Sequence, residues 1–264
     1  MKSHWWIWLG LLATLSGGAQ AAPFFFSTGN ADGQMAAASR APSPAVPEIA
    51  AADDFVLALP TRIQSATITG LLPSGATASD IGEVVVEIYR VFPLDSTSPP
   101  SGNVPTRTNS PSDNAIASRD SASSTLNFTF TLVNPNFTAA NSVLNGIHPQ
   151  PNQTTGGEGA ASGEEGKVNV AFPAPIALEA DHYFFVVELK LSSGNFYWLS
   201  APKPIVAPGT PFANDLQAWI RNAALAPDWL RIGTDIVGGL AHPQYNLAFS
   251  ISGDDDTLFT DGFE

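Results

Sequence analysis

The sequence predicts an all-β fold, a β-sandwich with jelly-roll-like connections, and three observations carry that expectation. Several short segments alternate apolar and polar residues, or are dense in β-branched and aromatic ones, as strands on a half-buried sheet do. The chain holds 22 Gly and 22 Pro with only 13% charged residues, the composition of short strands joined by many turns. A single stretch has helical spacing: Leu216, Trp219 and Ile220 share a face behind Asn214 as N-cap, which predicts one short helix over 214–223.

Taken in order, Met1-Lys2-Ser3-His4 is a short cationic start, Trp5 to Leu15 is apolar apart from Thr14, and Ser16 to Ala21 ends in small residues. These are the three parts of a cleavable secretory signal, with cleavage expected near Ala21. The apolar run is shorter than the roughly 20 residues that span a bilayer, so no transmembrane anchor is expected. Residues 22–52, with Phe24-Phe25-Phe26, Asp32-Gly33 and a Pro-rich stretch from Pro42 to Pro47, show turn chemistry without a period and read as an N-terminal arm. Residues 53–253 read as one β-sandwich domain and 254–264 as an acidic tail.

Within the domain, Phe55 to Leu59 and Ile63 to Leu72 read as strands separated at Pro60. Glu83 to Phe92 is the clearest strand, and its β-branched density places it inside a sheet. Residues 93–125 follow as a long polar loop, and a second long connection runs through 139–166. Leu126 to Leu132, Lys167 to Phe172 and Tyr245 to Ser252 alternate strictly enough to be one-sided strands. Asp181 to Leu191 and Phe196 to Ala201 read as a hairpin across Ser192-Ser193-Gly194-Asn195.

Charge and composition exclude several classes of function. The net charge is −13, which opposes phosphate backbones, so nucleic acid is not an expected partner. The chain has no cysteine, which removes disulfides, thiolate nucleophiles and Cys-based metal sites together. Gly159 to Lys167 fails the phosphate-loop spacing because Ala161 and Val168 stand where Gly and Ser or Thr belong, and neither G-x-S-x-G nor H-E-x-x-H occurs. His148, His182 and His242 are far apart in sequence, and His182 beside Asp181 is the one best placed for a role.

Two candidate sites remain. Asp53 and Asp54 are the tentative metal residues, with calcium the ion their oxygens suit; adjacent strand residues point to opposite faces, so one of the pair at most serves a given site. No other cofactor is expected. Phe196, Tyr197 and Trp198 are the tentative ligand residues, because large aromatic rings beside polar groups stack on sugars. The same composition also suits a core, as it does for Tyr183, Phe184, Phe185, Trp219 and Trp229. Asp254-Asp255-Asp256 misses the calcium-loop pattern at Leu258 and Phe259, and the sequons at Asn127, Asn136 and Asn152 are as frequent as chance allows in a Ser/Thr-rich chain.

The run Ser27-Thr28-Gly29-Asn30-Ala31-Asp32-Gly33-Gln34-Met35-Ala36-Ala37-Ala38-Ser39-Arg40, followed by Ala52-Asp53-Asp54-Phe55, resembles a group of uncharacterised exported bacterial proteins. That group includes members with PEP-CTERM-type sorting tails. The resemblance implies export and carries no known activity. Residues 250–264 depart from the sorting-tail members, lacking a Pro-Glu-Pro motif, an apolar span and a basic end.

The expectation is therefore a non-enzymatic secreted protein, extracellular or on the outer cell surface, associated with polysaccharide or surface matrix. The alternative is a secreted hydrolase or lyase whose carboxylates, such as Asp54, Glu83 or Glu87, converge only in the fold.

Overall fold

The computed structural model describes residues 22–44, 46–147, 154–205, 215–240 and 243–255. In chain order its strands are β1 (Pro23–Ser27), β2 (Met35–Ala38), β3 (Ile49–Val56), β4 (Thr61–Leu72), β5 (Ile81–Val91), β6 (Pro111–Asp120), β7 (Asn127–Ala139) and β8 (Asn141–Val143). There follow β9 (Ala161–Leu178), β10 (His182–Leu191), β11 (Tyr197–Ala201), β12 (Trp219–Asn222), β13 (Leu230–Arg231), β14 (Asn246–Leu247) and β15 (Phe249–Asp255). They form two sheets packed face to face as a sandwich. Among the described residues no helix is long and apolar enough to cross a membrane.

One sheet has six antiparallel strands in the order β13-β12-β3-β10-β5-β6. The other has nine and is organised by β4. That strand runs beside β9 along its whole length, and on its opposite side pairs first with β15 and then, at Gly70 and Leu71, with β11. Beyond β15 lies β1, beyond β11 lie β2 and β8, and beyond β9 lies β7. β7 contains Pro135, which the ladder tolerates because β7 is an edge strand whose register shifts between Asn134 and Phe137.

Alternation fills the space between the sheets. Val84, Val86 and Ile88 of β5, Tyr183, Phe185 and Val187 of β10, and Ile63, Ala66 and Ile68 of β4 all point into one core. Its centre is aromatic: Phe249 lies 5.3 Å from Phe185, 5.4 Å from Phe26 and 5.6 Å from Trp198. Burying each such ring stabilises the fold by roughly 2–3 kcal/mol. The outer side of the six-stranded sheet carries a second cluster of Tyr89, Phe184, Trp219 and Trp229 over Ala50 and Ala52.

The structure departs from the expected elements in four places. Residues 22–52 are not an arm: β1 pairs with β15, β2 with β11 and β8, and β3 lies inside the six-stranded sheet. Met35–Ala38 and Ile49–Ala52 are buried at every position, so they carry no polar alternation to read. Trp219–Asn222 is a strand rather than part of a helix, because pairing from Trp219↔Ala52 to Asn222↔Ile49 overrides a weak local spacing. Among the described residues helical geometry occurs instead as two short turns, at Ala78–Asp80 and, wider, at Ile232–Val237, and Asn214 lies outside the described residues.

The turn after β10 makes no hairpin. β10 and β11 belong to different sheets, so Ser192 to Asn195 carries the chain across the sandwich, tied by the Ser192 amide to the Asp80 carbonyl at 2.8 Å. Lastly, the two long connections are partly strand: β6 lies within 93–125, and β8 and the start of β9 within 139–166. The first connection is pinned by Arg107, buried between Asp113 and Asp228 and 4.4 Å over the Phe92 ring.

Candidate functional site

Directly opposed residues in an antiparallel sheet share a face, so register locates what each sheet shows to water. On the nine-stranded sheet, Ser27 opposes Ser250, Ser250 opposes Thr67, Thr67 opposes Asn169, and Asn169 opposes Thr129. A second row one pleat along runs Phe25, Ser252, Ser65, Ala171, Asn127. Their sequence neighbours Phe26, Ile251, Ala66, Ile68, Val168 and Val170 point the other way, into the core. Both rows therefore lie on the outer face; Ser27 at the end of the first is buried and accepts the Gly29 amide at 3.0 Å, whereas Ser250, Thr67, Asn169 and Thr129 reach solvent. Five strands at about 4.8 Å spacing make each row about 19 Å long.

The face is shallowly grooved. A depression of about 370 Å³ is lined by the polar Ser65, Thr67, Asn127, Thr129 and Asn169 and by the apolar Ala66, Phe128, Val170 and Ala171. Another of about 170 Å³ is bordered by Phe25, Ser27, Thr67, Thr69, Lys167 and Ser250. The two adjoin at Thr67, whose hydroxyl donates to Asn169 Oδ1 at 3.0 Å. Phe25 closes one end, 53% exposed. Hydroxyls and carboxamides both donate and accept, so the row can pair with a neutral polyhydroxylated chain laid across the strands, and the Phe25 ring offers an apolar face.

The expected aromatic platform is placed elsewhere. Phe196 and Trp198 are fully buried, leaving no stacking surface, and Tyr197 alone of the three is half-exposed. Trp198 donates its indole N–H to the Ala248 carbonyl at 3.0 Å and packs edge-on to Phe249, while Phe196 lies against Gly70. Phe196 and Trp198 do point together, as alternation requires; the side they point to is the interior.

Asp53 and Asp54 sit on opposite faces of β3. Asp53 points into the sandwich, where the Leu247 amide donates to its Oδ2 at 2.7 Å. Asp54 points outward, with Oδ2 2.6 Å from His182 Nε2 and 3.2 Å from the Leu216 amide. Burial raises both carboxyls above the ordinary carboxylate range, Asp53 well above it, and for Asp54 the His182 contact opposes the rise. Facing apart, the two do not converge on one ion. Among the described residues no group of three or more His, Asp or Glu is arranged to hold a metal ion, and His148 and His242 lie outside those residues.

The carboxylates named for hydrolysis are partly gathered. Glu83 and Glu87 both project from the outer face of the six-stranded sheet, and Asp54 shares that face beside His182. The sequence reading missed Glu188, on the neighbouring strand and diagonal to Glu87: Glu188 opposes Val85 and Val186 opposes Glu87. Burial, then the charges of Glu48 and Glu87, push the Glu188 carboxyl well above its ordinary range. Glu87 accepts the Tyr89 hydroxyl at 2.6 Å, and Arg221 donates to that hydroxyl at 2.9 Å from 4.3 Å above Trp229. One signal was available: Glu188 is a lone acid inside the apolar run Tyr183 to Leu189. The hydroxyl rows gave no such signal, because they exist only once five strands are set in register.

Compared with known proteins, the chain matches no family model, no curated protein and no solved structure.

Proposed function

We propose that the protein is an exported, non-enzymatic β-sandwich that binds polysaccharide of a cell surface or extracellular matrix along the outer face of its nine-stranded sheet. The observation that carries this reading is the in-register row Ser27–Ser250–Thr67–Asn169–Thr129, with its two depressions joined at Thr67. The secretory-type leader in residues 1–21 supports export, and the net charge of −13 favours a neutral glycan over an anionic one. Affinity electrophoresis through gels containing neutral or anionic polysaccharides tests the reading. A neutral glycan is expected to retard the protein, and Thr67→Arg, which fills the junction of the depressions, to abolish the retardation while leaving the circular dichroism unchanged. Retardation that is the same in Thr67→Arg, or absent with every glycan, would count against it.

A second reading, polysaccharide hydrolysis or lysis, draws on Glu188, whose carboxyl burial pushes well above the ordinary range, diagonal to Glu87. Proton donors of glycosidases carry raised carboxyl pKa values in this manner. Release of new sugar ends by the parent protein, lost in Glu188→Gln, would support it; no release from any glycan that the protein binds would remove it.

A further inference from the structure

A cavity of about 340 Å³ opens between the two sheets, where β4 begins and β9 ends. Pro60, Ile116, Ala117 and Leu178 wall it with apolar surface over the Tyr183 ring. Ile116 reaches the cavity because it is the extra residue of a bulge: Ile88 pairs with Ala117 and Tyr89 with Ala115, leaving Ile116 unopposed. Such bulges re-aim side chains at strand edges, and here an apolar one is left 36% exposed.

The rim is charged and unbalanced. Arg90 opposes Tyr183 on the inner face, 3.4 Å from Asp95 and 4.0 Å from Asp181. Glu179 lines the cavity with Arg90, and Asp95 and Asp181 lie behind that guanidinium outside the lining, so three carboxylates surround one cation near Tyr183. Arg90 Nε, although close to Asp95, is buried and makes no hydrogen bond. The Tyr183 phenol registers the same field: burial first, then Asp181, Glu179 and Asp95, against Arg90, push it up to about 12.

We propose that this cavity binds a small organic cation, a primary amine on a short apolar chain. The chain would lie against Ile116, Ala117 and Leu178, and the ammonium would remain at the rim beside Glu179, within the field of the more distant Asp181 and Asp95. An anion of the same shape meets the excess of carboxylates and is disfavoured. The inference is independent of the glycan reading, since the cavity lies between the sheets and the hydroxyl rows lie outside them.

The probes are n-hexylammonium, n-hexanoate and 1-hexanol at equal concentration, read by the thermal midpoint of the whole protein and by titration calorimetry. Hexylammonium is expected to raise the midpoint with concentration, as any ligand of the native state does, and the other two to leave it unchanged. Ala117→Phe, which fills the cavity, is expected to abolish the shift. Glu179 is exposed, so Glu179→Gln leaves the fold intact, and it is expected to weaken binding by about two- to fivefold at low salt, the size of one exposed charge pair. Equal shifts with hexanoate or hexanol would overturn the charge argument. Undiminished hexylammonium binding in both variants, or no binding by the parent, would overturn the site.

Discussion

Replacing Arg107 with methionine removes the one cation from a buried trio. The Arg107, Asp113 and Asp228 side chains are 1%, 4% and 2% exposed. Arg107 donates to Asp113 and to the Ser98 carbonyl at 3.2 Å, and its Nε lies 3.3 Å from Asp228. Asp113 would keep the Thr97 and Ser98 amides at 2.9 and 2.7 Å, whereas Asp228 would keep only Ser101. Removing one partner of a buried ion pair costs about 3–5 kcal/mol, because the remaining charge stays buried. For a domain of this size that lowers the melting midpoint by about 10 °C. The assay is reversible urea unfolding of parent and Arg107→Met, read as a shift in midpoint at unchanged slope.

The pH dependence adds a second check on the same variant. Burial acts to raise the Asp113 carboxyl, but the Ser98 amide and Arg107 outweigh it and leave it below the ordinary range. A carboxyl lowered by folding contributes stability above its unfolded value and loses it as pH falls through the folded one. The deficit of Arg107→Met is therefore expected to be full at neutral pH and to shrink in strong acid. A loss below about 1 kcal/mol, the worth of an exposed pair, would refute the conclusion that the trio pins the 93–110 connection to the sandwich.

Other expectations follow from single contacts. Glu188 is raised by folding, so the stability it contributes is full below the ordinary glutamate range and lost as pH rises through the folded value. Glu188→Gln should thus melt with the parent near pH 4 and above it near pH 8; parallel curves would contradict the upward shift that burial gives this acid. A methyl group at Gly70 would collide with the Phe196 ring and crowd the Tyr197 carbonyl, so Gly70→Ala should cost about 1–3 kcal/mol. Adding Phe196→Leu should restore part of that loss, and strict additivity of the two changes would show that they do not touch. Trp198→Ala should cost about 3–5 kcal/mol and, at a temperature where the variant is folded, leave glycan retardation unchanged; loss of retardation there would return the ligand to the Phe196–Trp198 segment.

What was legible in the chain follows from where each strand sits. In Leu126 to Leu132 the buried Leu126 and the half-buried Phe128 and Phe130 pack on the core between exposed polar residues, and in β15 Phe249 and Ile251 face the core while Ser250 and Ser252 face outward, so alternation located these strands; Asn246 to Ala248 are instead buried at every position and Leu132 is exposed. Met35–Ala38 is buried on both sides and Ile49–Ala52 likewise, so small apolar residues repeat without a period and read as an irregular arm. The two-turn pattern at Leu216, Trp219 and Ile220 was real spacing put to another use, since Trp219 and Arg221 lie on one face of a strand and Ile220 on the other. Turn residues at 192–195 marked a reversal correctly but could not tell a hairpin from a crossing between sheets.

The same reasoning explains the site. Alternation separated Asp53 from Asp54 and grouped Phe196 with Trp198, yet it does not say which of two faces is inside. That depends on partners far along the chain, such as Phe185 and Phe249 for Trp198. The hydroxyl row draws its members from five strands between Ser27 and Ser250, so no local window of sequence contains it.

The most direct test of the proposed binding face is amide hydrogen exchange, residue by residue, with and without a neutral polysaccharide that retards the protein. Protection gained on β1, β15, β4, β9 and β7, centred on Thr67 and Asn169, is the result expected. Protection confined to the six-stranded sheet, or to the turn before β11, would contradict the assignment of the outer face of the nine-stranded sheet as the glycan surface.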